Sequence, residues 1–92
     1  MYLEIVSPEA TLFKGEVIAV TLPGVDGEFQ ILKNHAPIIS LLQQGRIKIK
    51  GNVAVEEVHQ DKFSKAANGD TALHINSGTV EMRNNRIIVL VD

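Results

Sequence analysis

The sequence predicts an all-β protein, an antiparallel β-sandwich or flattened barrel of roughly eight to ten short strands. Three observations carry that prediction. Turn signals recur about every eight to twelve residues, the spacing of short strands joined edge to edge. Between them, apolar and polar residues alternate with a period of two, most cleanly in Arg46-Ile47-Lys48-Ile49-Lys50. No stretch carries the apolar periodicity of an amphipathic helix.

Taken in order, Tyr2–Val6 puts Leu3 and Ile5 on one face, and Pro8-Glu9 ends it in a turn. Leu12–Leu22 is long and rich in β-branched residues, with Gly15 expected as a bulge or bend. Both faces of Val17–Leu22 are apolar, so this strand is expected either to be buried on both sides or to switch sheets midway. In Leu22–Ile39 two turn dipeptides, Pro23-Gly24 and Asp26-Gly27, fold the chain back, since Pro presets φ and Gly accepts positive φ. Glu28–Leu32 follows as a strand with Phe29 and Ile31 on one face and Glu28 and Gln30 on the other. Lys33-Asn34-His35 is a polar loop, and Pro37 has no N–H to give to a ladder.

Ile38–Leu42 is an apolar run that periodicity alone leaves between a helical turn and a strand. Gln44-Gly45 turns the chain into the 46–50 strand, and Gly51-Asn52 turns it again into Val53–Val58, expected as the antiparallel neighbour of that strand. Residues 59–71 read as an elongated hairpin. Asn76-Ser77-Gly78 closes a tight turn before the Thr79–Arg83 strand. Asn84-Asn85, which tolerates left-handed φ, leads into the last strand, Arg86–Val91.

Residues 1–92 form one domain, near the small end at which a single apolar core suffices. There is no cysteine, so neither disulfides nor thiolate chemistry contribute. A net charge of −2, with basic residues scattered among acidic ones, does not make the basic stripe that nucleic acid requires. Met1–Glu4 lacks the features of a secretory leader, and the apolar run Ile87–Val91 is far too short to span a bilayer.

Chemistry has few candidates. His35, His59 and His74 show no spacing for a shared metal, and a metal needs several converging ligands. No serine sits in a nucleophile elbow, and Gly24 and Gly27 open no helix that would cradle phosphate. An independent active site is not expected, nor is a metal or a cofactor. Binding remains. Asp26 and Glu28 at the turn are read as solvating groups or as contacts for a partner, and His35 as a turn residue or an interface side chain. Ile38, Ile39, Leu41 and Leu42 are core residues or, where exposed together, a partner site.

The wording LPGVDGEFQIL followed by NHAPII (Gly24, Gly27, Glu28, Phe29, Ile31, Asn34, His35, Ala36, Pro37) resembles the epsilon subunit of the rotary F-type ATP synthase. Leu3–Ser7 before Pro8-Glu9, Leu12–Val17, Gln44–Ile49 and Asn76–Leu90 extend the resemblance over most of the chain. It implies the amino-terminal β-sandwich domain of that subunit, a non-catalytic rotor part that couples the ring of c subunits to the gamma subunit. It further implies a c-ring interface at Asp26, Gly27 and Glu28, and a gamma interface at His35, Ala36, Pro37, Ile38 and Ser40. The implied location is the cytoplasmic face of a bacterial inner membrane, held there peripherally by partners, with a plastid-encoded origin as the alternative. Relatives commonly continue into two carboxyl-terminal helices that in some bacteria bind ATP. The sequence to Asp92 holds no counterpart of these, so direct nucleotide binding is not expected. The family pattern is also interrupted at 59–71, where about ten residues read as an insertion of the kind exposed loops tolerate. The rival reading is a stand-alone ligand-binding or carbohydrate-binding β domain with its site on the end loops.

Overall fold

The computed structural model describes residues Met1–Asp92. Ten strands form: β1 (Tyr2–Val6), β2 (Thr11–Glu16), β3 (Ala19–Gly24), β4 (Gly27–Leu32), β5 (Ile38–Leu42), β6 (Gly45–Lys50), β7 (Phe63–Lys65), β8 (Thr71–Ile75), β9 (Gly78–Arg83) and β10 (Arg86–Val91). They follow one curled sheet in the order β2-β1-β10-β9-β5-β3-β6-β8-β7, with β4 paired to β3. The curl folds β2-β1-β10-β9-β5 over β4-β3-β6-β8-β7, the two layers of a sandwich. Among ladder pairs, the single bridge Gly24–Leu42 links β3 to β5.

The alternation read from sequence decides what faces inward. Leu3 and Ile5, Val20 and Leu22, Ile47 and Ile49, Val80 and Met82, and Ile87 and Val89 are all buried and belong to one core cluster. Phe29 packs against that cluster and Ile31 lies within it, while Glu28 and Gln30 are exposed, as expected for β4. Each buried Leu or Ile contributes about 1.5–3 kcal/mol by leaving water, which is how a chain without cross-links holds together.

Several local expectations are corrected. The sheet is mixed, because β1 and β10 pair in parallel, Tyr2 opposite Arg86 through Val6 opposite Leu90. First and last strands meet through the global fold, and no turn announces the pairing. The bulge expected at Gly15 lies at Leu12 instead: Ile5 faces Phe13 and Val6 faces Thr11, and the extra residue lets Leu12 and Phe13 both turn inward. Leu12–Leu22 does switch layers, breaking at Val17-Ile18 between β2 and β3.

Pro23-Gly24 is not a turn. Both residues end β3, and the turn is Val25-Asp26. Pro23 lies beyond the last β3–β6 pair, Thr21–Lys48, so its missing N–H leaves no ladder bond unmade, and its carbonyl accepts the Gln43 N–H at 2.8 Å.

Val53–Val58 does not pair with β6, since β3 and β8 occupy both of its edges. The chain runs irregularly from there into a short 3₁₀ helix, Glu57–Lys62, so the all-strand expectation fails over these residues. Of the elongated hairpin expected at 59–71, β7 and β8 form the antiparallel pair around a turn in which the Asn68 side-chain carbonyl accepts the Asp70 N–H, but the residues before β7 form most of that helix. Ile38–Leu42 is a strand, β5, paired with β9.

Gly24 is required by close approach. A Cβ there would lie 2.8 Å from the Gly27 carbonyl oxygen and 2.8 Å from the Phe29 ring. Gly24→Ala is therefore expected to lower stability by about 1–3 kcal/mol through overpacking, read as a lower urea midpoint at unchanged m-value.

Candidate functional site

The strand registers give the sandwich two ends. At one end lie the β3–β4 turn (Val25-Asp26), the β5–β6 link and the β8–β9 link; at the other lie the β4–β5 loop (33–37) and the β9–β10 turn. The residues expected to serve two partners are thus separated by the length of β4, about 17 Å at ~3.4 Å per residue.

At the first end Asp26, Gly27 and Glu28 are exposed. The turn is tight because Gly24 and Gly27 pair directly, and Gly27 adopts a φ of 126° that a side chain would oppose. Glu28 projects from the outer face of β4 and accepts a hydrogen bond from Lys48 Nζ at 3.4 Å. Beside it, Gln30 donates to Thr21 Oγ1 at 3.4 Å. Such an exposed, long ion pair contributes little to stability, so the carboxylate is free to exchange Lys48 for another donor.

At the second end His35, Ala36 and Pro37 are exposed. The loop is fixed by two asparagines. Asn34 N–H donates to Asn85 Oδ1 at 2.6 Å, and Asn85 Nδ2 donates back to Asn34 Oδ1 at 2.9 Å. Asn34 and Asn85 both hold positive φ, 66° and 60°, which asparagine tolerates better than most residues. His35 Nδ1 lies 2.6 Å from its neighbour's carbonyl, Ala36 O, a bond that needs the proton on Nδ1 and leaves Nε2 to accept. Asn85 does this work unannounced in the sequence, where it reads only as a turn former.

Between the ends runs a surface the sequence reading had left open. Ile38 is half-buried against the core and Leu42 is buried, whereas Ile39 and Leu41 point outward, 77% and 61% exposed. Across β9 they meet Ile88 and Leu90, 37% and 52% exposed. The registers make two rows on one face, Ile39–Glu81–Ile88 and Leu41–Thr79–Leu90. These four side chains mark a rectangle of about 7 by 10 Å. Val25, 48% exposed at the hairpin tip, donates its N–H to the Leu41 carbonyl at 3.1 Å and continues the stripe. Ser40 is half-buried, with Oγ donating to the Leu41 carbonyl at 3.2 Å. The signal for this face was present in the sequence: Ile38–Leu42 and Ile87–Val91 are apolar on both faces, and a strand bordering a single core can bury only one.

No group of three or more His, Cys, Asp or Glu side chains converges as metal ligands do. His74 is exposed on β8. No helix is long and apolar enough to cross a membrane.

Fold and surface together define a small β-sandwich with a polar turn at one end, a clamped loop at the other and an apolar face between. The family described as ATP synthase, Delta/Epsilon chain, beta-sandwich domain matches residues 1–92. The chain belongs to this family. It is 33% identical over 90 residues to the ATP synthase epsilon chain of Chlorobium limicola, covering 98% of this chain and 86% of that one. It is 38% identical over 91 residues to the epsilon chain of Sulfurimonas denitrificans, covering 98% of this chain but 58% of the relative. Its fold is similar to a chain in the cryo-EM structure of the Tetrahymena thermophila mitochondrial ATP synthase central stalk and c-ring, with a TM-score of 0.73 at 16% identity, covering 99% of this chain and 62% of that chain.

Asn85→Gly keeps the positive φ and removes the amide clamp. It is expected to cost about 1 kcal/mol for the lost side-chain hydrogen bonds and to speed amide exchange at Asn34 while leaving the core amides protected, as followed by native-state hydrogen exchange.

Proposed function

We propose that this chain is a non-catalytic central-stalk subunit of a rotary F-type ATP synthase, joining the c-ring to the gamma subunit so that ring rotation turns the stalk. The observation that carries this reading is the set of exposed apolar side chains on β5 and β10, either side of β9, in a protein of the family described as ATP synthase, Delta/Epsilon chain, beta-sandwich domain. Large apolar side chains exposed together on a small domain, here in pairs flanking Thr79 and Glu81, mark a partner site. Here it adjoins His35, Ala36 and Pro37, so gamma contacts this loop and extends over Ile39 and Leu41, with Ile38 and Ser40 supporting the strand from its inner side.

The c-ring contact is assigned to Asp26, Gly27 and Glu28. An exposed carboxylate at a tight turn gains charge-assisted hydrogen bonds from the basic and amide groups of ring loops, and Glu28 gives up only a weak surface pair with Lys48 to do so. Torque transfer requires stiffness, and a single sheet curled around one core supplies it. The domain is held at the membrane peripherally, through its partners. The carbohydrate-binding alternative lacks support, because Tyr2, Phe13, Phe29 and Phe63 are all buried or half-buried and offer no exposed stacking platform.

Two measurements test the assignment. With gamma co-expressed, wild type is expected to retain gamma through purification, and the double variant Leu41→Asp, Leu90→Asp to lose at least about a hundredfold in affinity at unchanged melting temperature, as hot-spot loss predicts. Retention of gamma by that variant would remove the face from the interface. Glu28→Ala is expected to weaken binding to purified c-ring by about tenfold, the loss of a charge-assisted bond, while changing stability by less than about 0.5 kcal/mol.

A further inference from the structure

We propose that this chain carries a binding site for a small apolar carboxylic acid, between the segment 53–62 and the edge strand β7. The site shares no residue with the hairpin tip, the clamped loop or the exposed apolar side chains of β5 and β10. It does not depend on the rotor reading.

A cavity of about 260 Å³ opens here. Sites that enclose drug-sized ligands measure about 300–1,000 Å³, so the occupant is smaller than those. Val53, Val55 and Phe63, each half-buried against the core, give the cavity an apolar wall. Lys65 and Thr71 line it too, with Gln60 and Ser64 at the exposed rim. The registers explain why polar groups meet that wall. Thr71 lies opposite Ile49, which is fully buried, and opposite Lys65, so all three share the inner face of their layer.

Thr71 is the single buried polar residue of the chain, 6% exposed. Its Oγ1 accepts a hydrogen bond from Lys65 Nζ at 3.3 Å but donates its own proton to no group of the chain. Lys65 forms no ion pair, the two in this chain being those of the Met1 amino group with Glu16 and of Lys48 with Glu28. A buried hydroxyl proton without an acceptor and an ammonium without a counter-ion are both satisfied by one carboxylate. The Val53 and Val55 N–H groups also donate to nothing in the chain, and Gln60 Nε2 steadies the segment by donating to the Val55 carbonyl at 3.1 Å. An inward lysine on an edge strand guards that edge against pairing. Guarding accounts for the charge, but not for the apolar cavity beside it or for the unspent Thr71 proton. A carboxylate on a short hydrocarbon body meets both halves of the lining, its oxygens at Lys65 and Thr71 and its carbons on Val53, Val55 and Phe63.

The probe is isocaproate, titrated into isotope-labelled protein and followed through the amide chemical shifts. Saturable shifts centred on Val53, Val55, Phe63, Lys65 and Thr71 are expected, with a Kd of about 1 mM or tighter. Isocaproamide, which has the same shape and no charge, is expected to bind at least about tenfold more weakly. The same loss is expected for isocaproate with Lys65→Met, which keeps an unbranched stem and removes the ammonium. Thr71→Val fills the same space without the hydroxyl and is expected to weaken binding by about fivefold.

Wild type that shows no shifts at these residues with about 50 mM isocaproate overturns the proposal, as does a folded Lys65→Met or Thr71→Val variant that binds as wild type does. Inorganic phosphate that produces the same shifts at equal or lower concentration overturns it as well, since phosphate has nothing to lay on the apolar wall. Should Lys65→Met associate through its unguarded edge, Thr71→Val and the isocaproamide comparison decide.

Discussion

The two layers of this protein join into one sheet at Gly24, through its bridge to Leu42 and two neighbouring main-chain bonds. Ladder pairing elsewhere stays within a layer, and at this point the chain passes from β3 to the neighbourhood of β5 through a place where a Cβ would overlap both the Gly27 carbonyl and the Phe29 ring. Enclosure of the core rests on side chains from strands of both layers, and the exposed turn lies where Gly24 pairs with Gly27. Close packing makes the site intolerant of an added carbon, since interiors this dense do not absorb one without shifting.

The same geometry accounts for how a small all-β domain manages its edges. The curled path ends at β2 and β7, and β4 adds a third free edge. Open edges invite pairing with other chains. Here β7 is only three residues long and carries Lys65, β2 carries Lys14 and the Leu12 bulge, and β4 presents Glu28 and Gln30 on its outer face. Exposed apolar side chains also flank β9, on β5 and on β10, and of these three strands β9 and β10 are paired on both sides. Along β9 and β10 the main chain is satisfied by ladders on both sides, which suits a flat protein partner and not an added strand.

Polar groups are spread over the two ends of the sandwich, and the Asn34–Asn85 pair positions the loop at one of them. His35 is likewise committed to its neighbour's carbonyl. A domain of this kind transmits force by being stiff between two contacts, and its chemistry lies in which surfaces it offers.

The sequence by itself determined the strands and their inward residues, because a period of two sorts side chains to opposite faces whatever the partner strand. It also marked the exposed carboxylates beside the Asp26-Gly27 turn, and its wording identified the family. What it left undecided depends on which strand lies beside which. Pro23-Gly24 reads as a turn until β3 is seen to run past the end of β6. Val53–Val58 reads as a strand until both edges of β6 are seen to be taken. Ile39 and Leu41 read equally as core or as a partner site until the single enclosed volume is filled from the other faces of the same strands. The parallel pairing of β1 with β10 has no local signature, since it joins residues more than eighty positions apart. Local periodicity fixes which way a side chain points relative to its neighbours in the chain. Only the closed tertiary packing decides which of two apolar faces is covered, because that depends on how much volume the rest of the chain has already filled.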